Sequence, residues 1–248
     1  MSRIVRNDLQ MKAYRRSTGH LLTPALMKIR LDRSKRLLQW HTQNGHENIL
    51  FTDEKIFNIE ESFNKQNDRI YATSSKEAKN KVPRVQCGHH PTSVMVWWGV
   101  SRQGVTELHF CPQGVKTGAR VYQGDVLEGV VKPLNTTLFD GMDWVFQQDS
   151  APAHKAKTTQ QWLRTNVPCF IAAEDWPSGS PDLNPLDYKL WSVMEEHACR
   201  KRHRNLEELK RSLTKAAREI PLETVRAAIA EWPDRLKSCV KAKGGHFE

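Results

Sequence analysis

Two apolar, β-prone runs that each lead into an aspartate limit what this chain can fold into. Ile-Leu-Phe-Thr precedes Asp53, and Trp-Val-Phe-Gln-Gln precedes Asp149. Both runs have the composition of buried strands, and each strand is predicted to end at its aspartate. An acid at the end of a strand lies at the edge of a sheet, where the backbone holds its carboxylate against a cleft. The sequence therefore predicts a sheet that carries carboxylates along one edge.

The remaining patterns predict an α/β chain with a mixed sheet covered by helices on both faces. A Gly-containing break at 102–104 separates two β-rich runs and predicts a hairpin. The polar segment 74–92 is expected to be a surface loop. Further strands are predicted at 69–73, 93–101, 105–110 and 167–173. Helices are predicted at 118–139 with an interruption near Pro133, and at 155–166, 186–201 and 205–240.

The charge is unevenly distributed along the 248 residues. Residues 1–46 hold ten Lys and Arg against two acids (+8), and residues 197–248 hold thirteen against seven (+6). Since the whole chain carries +10, the middle carries −4. Residues 1–46 are expected to form a helical, basic arm, with Pro24 near the helix start. An acidic centre between basic ends suits an enzyme that binds metal and grips a polyanion, although solvated basic helix faces would give the same pattern.

A third aspartate, Asp187, is predicted to lie in the first turn of a helix. Asn184 is a natural N-cap and Pro185 takes the first helical position, so Asp187 falls at the third. Alone, an acid there only complements the helix dipole. Together with two acids from adjacent strands, it can help to hold a pair of divalent metal ions. Mg²⁺ and Mn²⁺ suit such a set because they prefer hard oxygen ligands.

Several classes of protein are disfavoured by composition. The five cysteines are scattered and form no Cys-x-x-Cys pair, which argues against a disulfide framework and a structural zinc site. No apolar run approaches the roughly 18–20 residues of a membrane span. The N-terminus has no signal-peptide character. A soluble intracellular protein without a membrane partner is expected.

The weaker candidates have ordinary explanations beside functional ones. His154 lies five residues after Asp149 and could orient a carboxylate or begin a helix. His89 and His90 lie in a polar loop without a third ligand, and Trp97 with Trp98 is expected to pack in the core. Basic residues that could contact phosphate are Lys35, Arg36, Arg200, Lys201, Arg202 and Arg204.

Three segments together resemble the catalytic domain of mariner-type transposases. They are FTDEKIF around Asp53, VFQQDSAPAH around Asp149 and WPSGSPDLNPLDYKLW around Asp187. The resemblance runs from about residue 5 to residue 235 and implies a ribonuclease H-like fold. It also implies that the three acids are the metal-binding and catalytic triad, and that His154 lies near the active site. Asp182, in the same block as Asp187, is the second choice for the third acid.

Thirty-seven residues separate the second and third acids, a spacing found with a third Asp in one branch of the family. The resemblance implies cleavage of double-stranded DNA at transposon ends with two Mg²⁺ or Mn²⁺ ions. The freed 3′-OH would then be joined to a TA target. A homodimer and a nuclear location are also implied.

Family members carry two helix-turn-helix modules ahead of this region. Residues 1–46 are therefore expected to be the tail of a lost end-binding region, and 47–248 the ribonuclease H-like catalytic domain with C-terminal helices. Specific recognition of transposon ends is expected to be lost. Two alternatives remain: a non-catalytic DNA-binding or dimerising remnant, and a ribonuclease H-like nuclease on RNA–DNA hybrids, which the motif wording disfavours.

Overall fold

A five-stranded mixed sheet forms the centre of the protein. The computed structural model describes residues 21–59, 77, 92–112, 118–200 and 203–247. The strands are β1 (Ile49–Asn58), β2 (Ser93–Val100), β3 (His109–Phe110), β4 (Val145–Phe146) and β5 (Cys169–Phe170), in the order β3-β2-β1-β4-β5. The first three strands pair antiparallel, and β4 and β5 add in parallel to β1. The predicted mixed sheet is confirmed.

Helices cover both faces of the sheet. The predicted break near Pro133 is confirmed, since one helix ends at Val131 and the next begins at Leu134. Three described segments have non-α geometry, namely the π-helical Tyr122–Val131 and Leu186–Leu190 and a 3₁₀ turn at Pro181–Leu183. The helices before β5 are α1 (Pro24–Asn44), α2 (Ala119–Val121, then π-helical Tyr122–Val131), α3 (Leu134–Thr137), α4 (Pro152–Lys155) and α5 (Lys157–Asn166). Those after β5 are α6 (π-helical Leu186–Leu190, then Trp191–Ala198), α7 (Leu206–Glu219), α8 (Leu222–Ala230) and α9 (Trp232–Lys241).

The core consists of two hydrophobic clusters, one on each face of the sheet. Adjacent residues of β2 point to opposite faces, and both Trp97 and Trp98 are fully buried, as expected. The Trp98 face carries Phe51 and Phe57 and is covered by α1 and α6–α9. The Trp97 face carries Leu50 and Phe146 and is covered mainly by α2, α3 and α5. Alternation along β1 therefore sends Asp53 to the Trp98 face and Glu54 to the Trp97 face.

Helix α1, the basic segment, is packed against α9. Its N-cap is Thr23, whose side chain accepts a hydrogen bond from the Leu26 amide at 3.3 Å. Arg30 is buried at 1% exposure and donates through Nε to the Gly244 carbonyl at 2.9 Å. Gly244 has a φ of +80° and leaves no room for a Cβ against the Met27 carbonyl, so only glycine allows this approach. The helix is thus fixed to the body of the protein through buried contacts.

The strands differ in length from their predicted extents. The prediction that a strand ends at Asp53 is wrong. Asp53 lies in the middle of β1, because β2 pairs with β1 as far as Asn58. The strands predicted at 105–110, 143–149 and 167–173 each shorten to two residues. The 101–104 hairpin is confirmed by the Ser101 amide donating to the Gly104 carbonyl at 2.8 Å. The predicted strand at 69–73, nearly all of the 74–92 loop, and the His89–His90 pair lie outside the described residues.

The structure also describes four of the five cysteines and the lengths of the helices. Cys111, Cys169, Cys199 and Cys239 are free thiols, and Cys87 lies outside the described residues. Among the helices described, none combines the length and the apolar character needed to cross a membrane.

Candidate active site

Asp53 lies on the Trp98 face of the sheet, where its carboxylate meets helix α6. Its Oδ2 accepts a hydrogen bond of 2.6 Å from the indole Nε1 of Trp191. The Trp191 ring is itself fixed by aromatic contacts with Trp98 and Phe57, each with centroids 5.8 Å apart. Burial and the nearby charge of Asp187 raise the pKa of Asp53 to about 8. This setting therefore disfavours the ionised form of Asp53.

Asp187 enters the site from the first turn of α6, as the sequence predicts. The Asn184 side chain caps this helix, with Oδ1 accepting from the Leu186 amide at 3.2 Å. The turn has π-helical geometry, since the Trp191 amide donates to the Leu186 carbonyl five residues back. Asp187 is exposed, and its charge acts on Asp53. Trp191, four residues further along the helix, contacts the same carboxylate.

Asp149 follows β4 and is held through one oxygen. Its Oδ1 accepts from the Ala151 amide at 2.8 Å and from His154 Nδ1 at 2.6 Å. Burial alone would raise the pKa of Asp149, but the hydrogen bond and charge of His154 outweigh it and lower the pKa below its ordinary value. In the part of the chain that is described, both hydrogen bonds end on Oδ1, so Oδ2 remains for another ligand.

His154 connects Asp149 to strand β1. Its Nε2 lies 3.4 Å from Glu54 Oε1, while its ring packs on Tyr122 with centroids 4.3 Å apart. Burial opposes protonation, but the hydrogen bonds to Asp149 and Glu54 raise the pKa of His154 to about 10. At neutral pH, both ring nitrogens therefore donate. The sequence left open whether His154 orients a carboxylate or merely begins a helix, and the structure places it between two carboxylates.

Asp182 forms an ion pair with Arg30 of α1. Its two oxygens accept from the Arg30 guanidinium at 2.9 and 2.7 Å, and its backbone carbonyl accepts from Arg235 Nε at 2.6 Å. Arg33 and Arg36 of α1 donate to the carbonyls of Trp176 and Glu174, each at 2.7 Å. These arginines therefore hold the loop that leads to Asn184 and Asp187.

The predicted acids lie in two separate sets of contacts. The charge of Asp187 acts on Asp53, whereas Asp149 is linked through His154 to Glu54, the residue after Asp53. Within the described residues, no three His, Cys, Asp or Glu side chains lie close enough together to hold a metal ion. Asp53 and Asp187 thus interact on the Trp98 face of the sheet, whereas Asp149 is connected through His154 to Glu54 on the Trp97 face.

The sequence did not predict three residues that contact the candidate site residues or their chain neighbours: Glu54, Trp191 and Gln147. Glu54 was overlooked because it adjoins the more prominent Asp53, although alternation in a strand sends it to the other face. Trp191 could have been found from its spacing of four residues from Asp187 in a helix. Gln147, fully buried, could have been found as a polar side chain in an apolar strand run.

The basic residues predicted to contact DNA divide by their contacts. Lys35, Arg200 and Arg204 are exposed. Arg36 is half-exposed and forms an ion pair with Asp175 at 3.0 Å, in addition to its bond to the Glu174 carbonyl. Arg200 lines a cavity of about 310 Å³ with His197, His203 and Lys215. Lys201 and Arg202 lie outside the described residues.

Sequence comparisons relate the chain to transposases of nematode transposable elements. No protein-family model matches it. The Tcb1 transposase of Caenorhabditis briggsae is 30% identical over 220 residues, which cover 88% of this chain and 76% of that protein. The Tc3 transposase of Caenorhabditis elegans is 25% identical over 98% of this chain and 74% of its own length.

Solved structures with the same fold are those of the Mos1 mariner transposase. A Mos1 paired-end complex with Mg superposes with a TM-score of 0.80 at 21% identity, covering 99% of this chain and 72% of that one. The Mos1 catalytic domain alone superposes with a TM-score of 0.71 at 21% identity, covering 94% of this chain and all (100%) of that domain. The predicted ribonuclease H-like fold is thereby confirmed.

Proposed function

This chain belongs to the Tc1/mariner family of transposases, and on that premise we propose that it cuts DNA strands in a divalent-metal-dependent reaction and transfers the freed 3′ end to target DNA. DNA transposition is the activity of the family. Asp53, Asp149 and Asp187 are the proposed metal-binding and catalytic residues for strand cleavage and transfer.

The observation that carries the proposal is the partly buried carboxylate of Asp53, hydrogen-bonded to Trp191 and beside the charge of Asp187. Burial first and the charge of Asp187 second raise the pKa of Asp53 to about 8, and a divalent cation would remove that cost. The donors are all hard oxygens, which Mg²⁺ and Mn²⁺ prefer, so the residues fit these ions in chemistry. The remaining Oδ2 of Asp149 supplies a third ligand of the same kind.

The protein's own contribution is to orient these oxygens. Trp191 fixes Oδ2 of Asp53 at 2.6 Å, and His154 with the Ala151 amide fixes Oδ1 of Asp149. When bound, a pair of Mg²⁺ or Mn²⁺ ions supplies an activated water and stabilises the leaving 3′ oxygen. No covalent link between protein and DNA is implied, so no Ser, Tyr or Cys nucleophile is required.

The proposed partner of this protein is double-stranded DNA. Its proposed substrates are transposon ends and a TA target. The exposed side chains of Lys35, Arg200 and Arg204 are available to phosphates, and Arg36 is available in part. A homodimer that holds two ends and a nuclear location complete the proposal. Mos1, which shares the fold, has been solved as a paired-end complex.

The test is nicking of a supercoiled plasmid by purified protein in Mn²⁺, beside the Asp149→Ala variant. Nicking that requires Mn²⁺ and disappears in the variant is expected. An intact plasmid, together with salt-sensitive DNA binding that persists in chelator, would instead identify a non-catalytic DNA-binding remnant.

A further inference from the structure

The main chain of Thr52 lies where strand β4 separates from β1. The parallel ladder pairs Ile49 with Val145 and Leu50 with Phe146, and its last bond runs from the Gln147 amide to the Leu50 carbonyl at 2.9 Å. Beyond this point no strand continues the ladder, although Thr52 is only 2% exposed. Buried N–H and C=O groups need partners, so side chains must replace the missing strand.

Two side-chain amides take that place. Gln147 Oε1 accepts from the Thr52 amide at 3.0 Å, and the Thr52 hydroxyl donates to the Gln147 carbonyl at 2.7 Å. Asn184 Nδ2 donates to the Thr52 carbonyl at 3.1 Å, while its Oδ1 caps α6 at the Leu186 amide. Gln147 and Asn184 are 0% and 2% exposed.

The three linked residues each stand just before one of the proposed catalytic acids. Thr52 precedes Asp53 by one residue, Gln147 precedes Asp149 by two, and Asn184 precedes Asp187 by three. We propose that Gln147 and Asn184 are positioning residues, which clamp the three acid-bearing segments to the main chain of Thr52 and so set the spacing of the metal-binding carboxylates. This inference rests on the proposed function, because it concerns the same metal site.

Gln147 also has a feature that favours positioning over simple packing. Its Nε2 is buried with no hydrogen-bond partner in the described part of the chain. An apolar side chain of similar size would avoid the cost of that unpaired group. The Gln147 side chain is therefore best explained by its hydrogen bond to Thr52, although the unpaired Nε2 lowers the stability of the fold.

The experiment measures Mn²⁺ binding by thermal shift, without DNA, in the wild type and in Asn184→Ser. Serine keeps an N-cap oxygen and adds no charge, but it is too short to reach the Thr52 carbonyl. Asn205→Ser is the matched control, because Asn205 caps α7 by accepting from the Glu208 amide at 2.9 Å. We expect Asn184→Ser to need about tenfold more Mn²⁺ for half of the full shift, as for residues behind metal ligands generally. Asn205→Ser should match the wild type.

The Gln147→Met variant removes the hydrogen bond to the Thr52 amide instead of the one to its carbonyl. It replaces Asn184→Ser in the test if that variant does not fold. Unchanged Mn²⁺ affinity in a folded Asn184→Ser or Gln147→Met variant overturns the positioning role. An Asp53→Ala reference variant distinguishes failure of the metal site from failure of the positioning role. If the wild type itself shows no shift that depends on Asp53, the metal site fails and the positioning role falls with it. If that shift is present and only the clamp variants are unaffected, the positioning role alone is refuted.

Discussion

Asp182 and Asp187 lie five residues apart, yet their electrostatic settings are opposite. Asp182 meets a counter-charge within the protein, the buried Arg30 guanidinium, through two bonds of 2.9 and 2.7 Å. Asp187 instead acts on another carboxylate and, after burial, is the next cause of the raised pKa of Asp53. One acid stabilises the attachment of α1, and the other makes its neighbour harder to ionise.

The difference distinguishes a structural carboxylate from a candidate catalytic one. A buried ion pair with satisfied hydrogen bonds is complete without any ligand. A carboxylate whose pKa is raised by burial and by a neighbouring carboxylate costs stability, and such costs concentrate at functional sites. Asp149 is an intermediate case, because His154 supplies a positive charge to one of its oxygens.

The largest expected effect comes from breaking the Arg30 pair. Arg30→Met leaves Asp182 with its buried counter-charge removed and should lower the free energy of unfolding by about 3–5 kcal/mol. Urea denaturation measures it. Arg36→Met is the control on the same helix, since the side chains of Arg36 and Asp175 are 54% and 40% exposed and their pair should contribute no more than about 1 kcal/mol. Equal losses in both variants would refute the structural role of the buried pair.

The His154 contact is expected to have an intermediate effect. His154→Gln removes a charge-assisted hydrogen bond to Asp149 and should cost about 1.5–3 kcal/mol near pH 6. Because folding raises the pKa of His154 from 6.5 to about 10, its stabilisation is fully present below pH 6.5 and is lost as the pH rises through 10. Urea titrations at several pH values test this. A difference between variant and wild type that does not shrink at high pH would contradict it.

Over a single pH unit, the smallest effect is the pH dependence that Asp53 contributes. Its pKa is raised from 3.8 to about 8, so its contribution to stability is fully present below pH 3.8 and lost as the pH rises through 8. In metal-free buffer, the wild type should therefore lose up to about 1.4 kcal/mol relative to Asp53→Asn for each pH unit, for example between about pH 6 and 7. Parallel pH profiles of the two proteins would show that the carboxylate is not perturbed.

The sequence predicts the parts of this fold that depend on local patterns. The helical character of 24–44, 155–166 and 205–240 follows from periodicity, and the long strands β1 and β2 follow from dense apolar runs. The divisions within these segments were not predicted: α5 begins only at Lys157, and 205–240 forms the three helices α7, α8 and α9. Strands β4 and β5 are shorter than predicted because a parallel ladder lasts only as long as its distant partners stay aligned. Asp53 lies within a strand because β2, some forty residues later, extends the pairing of β1.

The sequence proposes the residues of the candidate site, whereas their contacts depend on the fold. The motifs propose Asp53, Asp149 and Asp187, and the capping pattern correctly places Asp187 in the first turn of α6. The role of Arg30 could not be read from sequence, because its partner Asp182 lies 152 residues away. The same holds for the bond from Asn184 to Thr52, which spans 132 residues and exists only once α6 packs on β1.

The contrast between the two acids is tested most directly by comparing Asp187→Asn with Asp182→Asn in the Mn²⁺-dependent nicking of supercoiled plasmid. Both substitutions remove one charge from the same block, and circular dichroism at the assay temperature shows that each variant is folded. We expect Asp187→Asn to lose about 100-fold in rate, as for a residue at a metal site, while Asp182→Asn retains nicking. Loss in Asp182→Asn with nicking retained in Asp187→Asn would contradict this expectation and assign the third acid to Asp182.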